Sequence, residues 1–393
     1  MEFRFTPQEE AFRAEIQQFL RAELPSEWSG GDYDDEEQEE QWQIGISFLK
    51  KVAKKGWIAP HWPKEWGGMQ ATIMEQVIYS EEMAYHRAPS LQGGEISYLG
   101  PTVILYGTEE QKNRYIRPMA RVEEYWCQGF SEPNAGSDLA SLQLRATHDG
   151  DDYVLNGTKI WTTNAHHADY CLLLARTDPE APKHRGISYF IVDMHAPGVT
   201  VQPLINIAGL KGFNQCFFDN VRVPADHLLG EENRGWYLAM TTLDFERSNI
   251  ASAARARRNL EELIACCMQQ APDGVRVWDR PGVRQAIAER QIEIEVGRII
   301  SYRVASMQNS GVVPNYEASM AKVYHTELAQ RLANTGVAAL DLYGQLAPGS
   351  PHARLHGRLE RDYLMTVSLT IESGSSEIQR NVIATRGLGL PRS

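Results

Sequence analysis

Apolar positions along the chain follow three textures in turn: helical, alternating, and helical again. Near the start, Phe12, Ile16, Phe19 and Leu20 recur three and four residues apart, the spacing that lines one face of an α-helix. Thr6 stands as N-cap, Pro7 at the first helical position and Glu9 and Glu10 in the first turn, so a helix is predicted over Phe5–Leu24. Helical periods return over Trp42–Ala59, Thr72–Ala84 and Ser97–Tyr106, and then in the run E-E-Q-K-N-R-Y-I-R-P-M-A. Between the first two of these runs, I-A-P-H-W-P-K-E-W-G-G carries two prolines and two glycines and must interrupt regular structure.

From Trp126 the period shortens to two. Strands are predicted over Leu142–Thr147, Asp152–Asn156, Tyr170–Arg176, Ile187–Asp193, Val199–Pro203 and Gln215–Val223, separated by the turn sequences H-D-G-D-D, L-N-G and A-P-G. After Trp236 the long helical runs Trp236–Gln270, Val283–Gln308, Ala318–Tyr343 and Arg354–Val382 imply a bundle. The reading is an α+β chain: an N-terminal helical domain (1–122), a middle β-barrel-like domain (123–232) and a C-terminal four-helix bundle (233–393). Length agrees, because 393 residues exceed what one hydrophobic core holds, ~250–300 residues.

Charge narrows the partners. With 51 acidic against 39 basic residues the net charge is −12, which argues against nucleic acid or an anionic membrane and for a small molecule. No apolar run approaches the ~20 residues that span a bilayer, and the five cysteines form no C-x-x-C pair. A soluble, untargeted protein of the reducing cytoplasm is expected. The acidic stretch between Trp28 and Glu40 reads as a solvated loop.

Candidate chemistry concentrates in Trp126–Asp138, W-C-Q-G-F-S-E-P-N-A-G-S-D, and Asn156–Asn164, N-G-T-K-I-W-T-T-N. Hydroxyls (Ser131, Ser137, Thr163) and glycines (Gly129, Gly136) let backbone N–H groups approach a planar polar ligand, and Trp161 offers it a flat wall. On physics alone, two ordinary Gly/Ser-rich hairpin loops account for the same residues about equally well. No G-x-S-x-G elbow and no strand-borne G-x-G-x-x-G is present, and strands gathered in mid-chain do not make a Rossmann fold. H-A-R-L-H puts His352 and His356 four apart without an H-E-x-x-H context; no metal site is predicted.

Both blocks resemble the strands and loops with which acyl-CoA dehydrogenases hold the isoalloxazine ring of FAD, and the likeness extends nearly end to end, including a W-P-x-E-x-G-G turn and the tail T-I-E-S-G-S-S-E-I-Q-R. The resemblance implies FAD contacts from Gln128, Phe130, Ser131, Gly136, Ser137, Trp161 and Thr163, with Gly344, Ser375 and Glu377 near the cofactor's phosphate and adenine side. It implies acyl-CoA contacts from Ser137, Asp244 and Arg247, and a thioester-oxygen contact from the N–H of Ser373.

Dehydrogenation of an acyl thioester needs a base for the α-proton and an acceptor for the β-hydride. Many relatives carry the base in a tail resembling Y-E-G-T-x-Q-I-Q-R. Aligned on I-Q-R, the base position falls on Ser373 and leaves Glu372 one residue off, which turns a side chain by ~100° on a helix or to the other face of a strand. A second branch, resembling isovaleryl-CoA and long-chain acyl-CoA dehydrogenases, places the base in L-D-x-E-R; here L-D-F-E-R makes Glu246 the implied base. The whole pattern is most similar to bacterial enzymes for dicarboxylic or bulky acyl-CoAs, such as the large subunit of pimeloyl-CoA dehydrogenase. The R-x-x-F-G motif through which a neighbouring subunit touches FAD is absent, and D-L-Y-G-Q-L-A-P-G replaces a Q-x-x-G-G-x-G segment. The implied assembly is a homo-oligomer (dimer or tetramer) or a heterotetramer with a sister subunit, with electron-transfer flavoprotein as electron acceptor. The competing readings are a flavin monooxygenase or oxidase on the same scaffold, and a non-catalytic subunit of a heteromeric dehydrogenase.

Overall fold

Thr6 caps the first helix as its sequence predicts: its hydroxyl accepts the Glu9 N–H, while the Glu9 carboxylate accepts the Thr6 N–H at 2.7 Å. The same reciprocal device starts two further helices, through Thr72 with Glu75 and Thr108 with Gln111. The computed structural model describes residues 4–28, 30, 38–90, 95–244, 250–270, 274 and 276–391. In chain order the longer elements are α1 (Pro7–Glu23), α2 (Gln38–Lys54), α3 (Ile73–Tyr85), α4 (Glu95–Tyr106), α5 (Glu109–Ala120), β1 (Trp126–Gly129), β2 (Arg145–Asp149) and β3 (Asp152–Thr163). There follow β4 (Tyr170–Arg176), β5 (Ile187–Asp193), β6 (Val199–Leu204), β7 (Phe213–Pro224), β8 (Leu228–Leu229), α6 (Gly235–Asp244), α7 (Ile250–Met268), α8 (Pro281–Asn309), α9 (Tyr316–Leu340), α10 (Arg358–Leu369) and α11 (Ser376–Val382). Among the described residues no helix is long and apolar enough to cross a membrane.

Two compact units form, the chain entering each more than once. The bundle unit takes the described residues of Met1–Gly45, Ala71–Pro89 and Arg247–Ser393. Its core is apolar and local: Leu260, Leu263, Cys267, Ile287, Ile294, Leu328 and Leu332 pack between α7, α8 and α9, with Leu359 of α10. A second cluster, Val77, Ile250, Ala253, Tyr302 and Ala305, joins α3 to α7 and α8. α1 docks on α3 through the stripe Phe12, Ile16 and Leu20 and through Arg13, which bonds Glu81 at 2.9 Å and Glu82 at 2.5 Å.

The sheet unit takes Ile46–Gln70 and the described residues of Ser90–Glu246. Its strands run in the order β6-β7-β3-β2-β4-β5-β8, with β1 parallel to β4. β4 and β5, buried along nearly their whole length, form its core. The W-P-K-E-W-G-G turn has a packing reason: buried Trp62 lies so close to α4 that a Cβ on Gly100 would stand 1.8 Å from its ring.

Strand positions read from alternation were right for β4 and β5, whereas β2 begins three residues later and ends two residues later than predicted. β3 is the larger difference. It continues through L-N-G to Thr163, because Asn156-Gly157 makes a bulge rather than a reversal; Gly157 lies against Leu144, with no room for a Cβ. The run Arg354–Val382 is not one helix but α10 and α11, broken at Ser373 and Gly374, both with positive φ. Leu355 and His356 are also left-handed, so His352 and His356 do not share a helix face. The run Trp236–Gln270 appears as α6 and α7, and residues 245–249 between them lie outside the described residues.

Candidate active site

Within the sheet unit, β1 and β3 bring one set of predicted residues together. β1 leads into the turn Phe130–Glu132, and the second bulge of β3, between Lys159 and Thr162, meets that turn: the Ile160 N–H donates to the Ser131 carbonyl at 2.9 Å. Trp161 sits on the bulge with φ 62°, and 59% of its surface is exposed although the ring is large and apolar. Phe213 meets it edge-on, with centroids 6.1 Å apart. Ser131 and Thr163 are half-buried beside this bulge, Phe130 is buried against Tyr189, and Gly136 and Ser137 are exposed on the loop that follows. The half-buried Gln128 has an amide nitrogen with no hydrogen-bond partner.

These features fit a planar polar ring. A bulky residue held in the left-handed region stores strain, which persists where surrounding structure or function over-determines it. An indole left in water and an unpaired amide are two groups that a ligand would satisfy together.

The bundle unit holds Gly344, Ser373, Ser375 and Glu377 among the remaining predicted residues. Ser373 has φ 51° and Gly374 φ 82°, and the Gln379 amide closes the turn by donating to the Ser373 carbonyl at 3.1 Å. Ser375 caps α11 by accepting the Ile378 N–H, and hydrogen bonds from Glu377's own backbone and from Ser375 hold the Glu377 carboxyl below the ordinary carboxylate range. The seven residues of α11 thus engage these side chains at their own N-terminus. Gly344 lies beyond the other end of α9, buried where a Cβ would stand 2.6 Å from the Val337 carbonyl. The tail meets α9 at Lys322, whose ammonium bonds the Leu369 carbonyl at 3.0 Å. Gln330, further along the same helix, donates to the Thr366 carbonyl and the Thr370 hydroxyl, both at 3.0 Å.

Glu372 is exposed as a residue, yet protein packed around its carboxyl pushes the pKa up, against the pull of Lys322 and a hydrogen bond from Ser368. Desolvation of this kind raises a carboxyl pKa by disfavouring the charged form. Asp244 is placed as the last residue of α6, and Glu246 and Arg247 lie outside the described residues. Among the described residues, no group of three or more His, Cys, Asp or Glu side chains is arranged to hold a metal.

One pair escaped the sequence reading. Lys159 and Glu132 form a buried ion pair directly behind the turn that carries Ser131. Its signal was the alternation of β3: Tyr153, Leu155 and Lys159 all point inward, which becomes visible once the strand is carried past Asn156. A cavity of about 170 Å³ in the bundle unit, lined by Arg13, Glu81, Glu82, Tyr85 and Arg257 among others, contains none of the predicted residues. Its charges satisfy one another: Arg13 with Glu81 and Glu82, and Tyr85 and Arg257 with Glu261.

Known proteins share this architecture. Residues 6–123, 127–221 and 233–388 match the family models of the acyl-CoA dehydrogenase N-terminal, middle and C-terminal domains. The chain is 36% identical to acyl-CoA dehydrogenase FadE26 of Mycobacterium tuberculosis, over the full length of both. It superposes with a TM-score of 0.89 on a chain of the ChsE4-ChsE5 complex from Mycobacterium tuberculosis, at 35% identity and with all of each chain covered. A steroid acyl-CoA dehydrogenase, Tcur3481-Tcur3483, gives a TM-score of 0.88 at 33% identity, again with all of each chain covered.

Proposed function

Since the chain belongs to the acyl-CoA dehydrogenase family, whose members are FAD flavoproteins, we propose that it converts an acyl-CoA thioester to the trans-2-enoyl-CoA. The observation that carries this reading is the strained, exposed Trp161 held beside Ser131 by the Ile160–Ser131 hydrogen bond. Trp161 would stack on the ring, Ser131 and Thr163 would hydrogen-bond its edge, and Gln128, Phe130, Gly136 and Ser137 would complete its surroundings. When bound, FAD supplies the hydride acceptor that no side chain can provide. Glu246 removes the α-proton, Asp244 and Arg247 brace the substrate, and the Ser373 N–H donates to the thioester oxygen where enolate charge develops. Gly344, Ser375 and Glu377 belong to the phosphate and adenine side of a cofactor.

Glu372 supports a second reading of the base alone. Burial of its carboxyl raises the pKa, the direction in which a general base is tuned.

Two relations bear on substrate and assembly. The likeness to a steroid enzyme supports a bulky acyl group, and the likeness to a ChsE4-ChsE5 complex, with the absence of R-x-x-F-G, supports a heterotetramer with a sister subunit over a homo-oligomer. The same reading takes 1–122, 123–232 and 233–393 as the three domains, electron-transfer flavoprotein as acceptor, and the cytoplasm and acyl-chain β-oxidation as setting. The test is anaerobic titration of the yellow protein, alone and with a sister subunit, with short, long, dicarboxylic and steroidal acyl-CoAs. Flavin bleaching by one class names the substrate. Protein that stays colourless after reconstitution with FAD, with or without a partner, rejects the proposal, and rapid O2-dependent reoxidation without acyl-CoA bleaching favours an oxidase.

A further inference from the structure

Lys159 and Glu132 are ionisable, buried and given no role by the reading above; burial holds the Lys159 pKa below its ordinary value, against the pull of Glu132. Lys159 has no exposed surface, and its Nζ donates to Glu132 Oε1 at 2.8 Å and to the Phe130 carbonyl at 3.0 Å. Glu132 accepts in addition the backbone N–H groups of Gln143 at 2.6 Å and Leu144 at 2.9 Å. The pair therefore ties β3 to the Phe130–Glu132 turn and to the backbone leading into β2. As a brace alone it would be an expensive choice, because a buried ion pair is often replaced by apolar groups without loss of stability.

The identity of the carbonyl suggests why charge is kept here. Phe130 C=O and Ser131 N–H are the two ends of one peptide unit. No described peptide bond is cis, so the two groups point in opposite directions. With the Phe130 carbonyl aimed at Lys159, the Ser131 N–H is aimed away from it. The next carbonyl, that of Ser131, is held by Ile160 at 2.9 Å, so the orientation of the turn is fixed on both sides. A cation on the oxygen of an amide withdraws electron density from its nitrogen and strengthens the N–H as a donor, as hydrogen-bonded chains polarise one another.

We infer that Lys159, balanced by Glu132, is a positioning residue that orients and polarises the Phe130–Ser131 peptide toward the flavin ring, and so tunes both FAD affinity and reduction potential. The inference rests on the reading that Ser131 faces the ring. Reduction adds negative charge to the ring, and a stronger donor at its edge favours the reduced form.

The experiment uses the full chain, with its sister subunit if the holoprotein requires one. FAD affinity is measured by fluorescence titration and the potential by dye equilibration at pH 6, where lysine keeps its proton most readily. Lys159→Met leaves Glu132 uncompensated; FAD binding should weaken roughly ten- to a hundredfold, the loss expected of one charge-assisted hydrogen bond, and the potential should fall. Glu132→Gln leaves the cation uncompensated, and the potential should rise. A pair that acts only as a brace would loosen one turn in both variants and shift both potentials the same way, or neither; that result overturns the inference. Should Lys159→Met not fold, the Glu132→Gln rise remains the required outcome. Ser131→Ala and Trp161→Ala serve as controls. If neither changes FAD affinity, the ring does not lie here and the reading of the site fails; if they weaken binding while the pair variants do not diverge, the inference fails by itself.

Discussion

Trp161 combines a conformation that bulky residues avoid with an exposure that large apolar residues avoid, and both costs fall on the protein without its ligand. Glycine at this position relieves strain of ~1–3 kcal/mol and loses ~0.5–1 kcal/mol in chain entropy. Trp161→Gly should therefore leave urea stability of the apoprotein unchanged or raised while FAD binding weakens; an apoprotein destabilised by more than ~2 kcal/mol would mean that the indole packs internally. The base is also a question for single residues. Glu246→Gln keeps shape but cannot take a proton, so stopped-flow flavin reduction by a matched acyl-CoA should slow by ~10²–10⁴-fold with FAD content intact. Ser373→Ala keeps the N–H and should change the rate far less. Glu372→Gln decides between the two readings: an abolished rate beside an active Glu246→Gln variant would move the base to the tail, where crowding already raises a carboxyl pKa.

At the scale of elements, helix α4 sets propensity against packing at Gly100. Alanine is favoured over glycine inside a helix by ~1 kcal/mol, but the new methyl would stand 1.8 Å from the Trp62 ring, which is only 1% exposed and has nowhere to retreat. Gly100→Ala should thus destabilise the protein by ~1–3 kcal/mol, as a lower urea midpoint at unchanged m-value. Capped helices and evenly alternating strands were legible in the sequence for local reasons: Thr6 with Glu9 and Thr72 with Glu75 announce their own helices. β3 was not, because its two bulges break the period of two on which a strand is recognised, and an inward lysine looks like a strand's end until its partner Glu132 is known. The tail was legible as residue types but not as a shape. Ser373 and Gly374 turn the chain in the left-handed region, which is an ordinary place for glycine and an unexpected one for serine. The gathering of Ser131, Trp161 and Thr163 was legible only through resemblance, since the contact that joins them, Ile160 to Ser131, is non-local.

For the molecule as a whole, acid stability should depend on the bundle. His325, 3% exposed, bonds Ser301 at 2.8 Å, and burial pushes its pKa from 6.5 down to about 4. The unfolded chain binds this proton near pH 6.5 and the folded chain only near 4, so the stability gained from keeping the ring neutral is present above pH 6.5 and lost as pH falls toward 4. The shift corresponds to about 3 kcal/mol. Urea titrations at pH 7 and pH 4.5 should show this loss, and His325→Gln should flatten it; an unchanged pH dependence in that variant assigns the acid sensitivity elsewhere. The pairing of β1 with β4 has a further consequence, for the order in which the chain folds. Trp126 must wait for Tyr170 across the intervening β2–β3 hairpin, and Thr163 for Phe213, whereas α8 and α9 of the bundle are joined by a short loop. Distant pairings pay their loop-closure entropy before they return anything, so closing the sheet should be a slow step, with the ring-binding turn among its last products. A refolding chain should then have nowhere to put FAD until that step is over, and the yield of yellow protein should be the same whether the cofactor is added at the start of refolding or near its end.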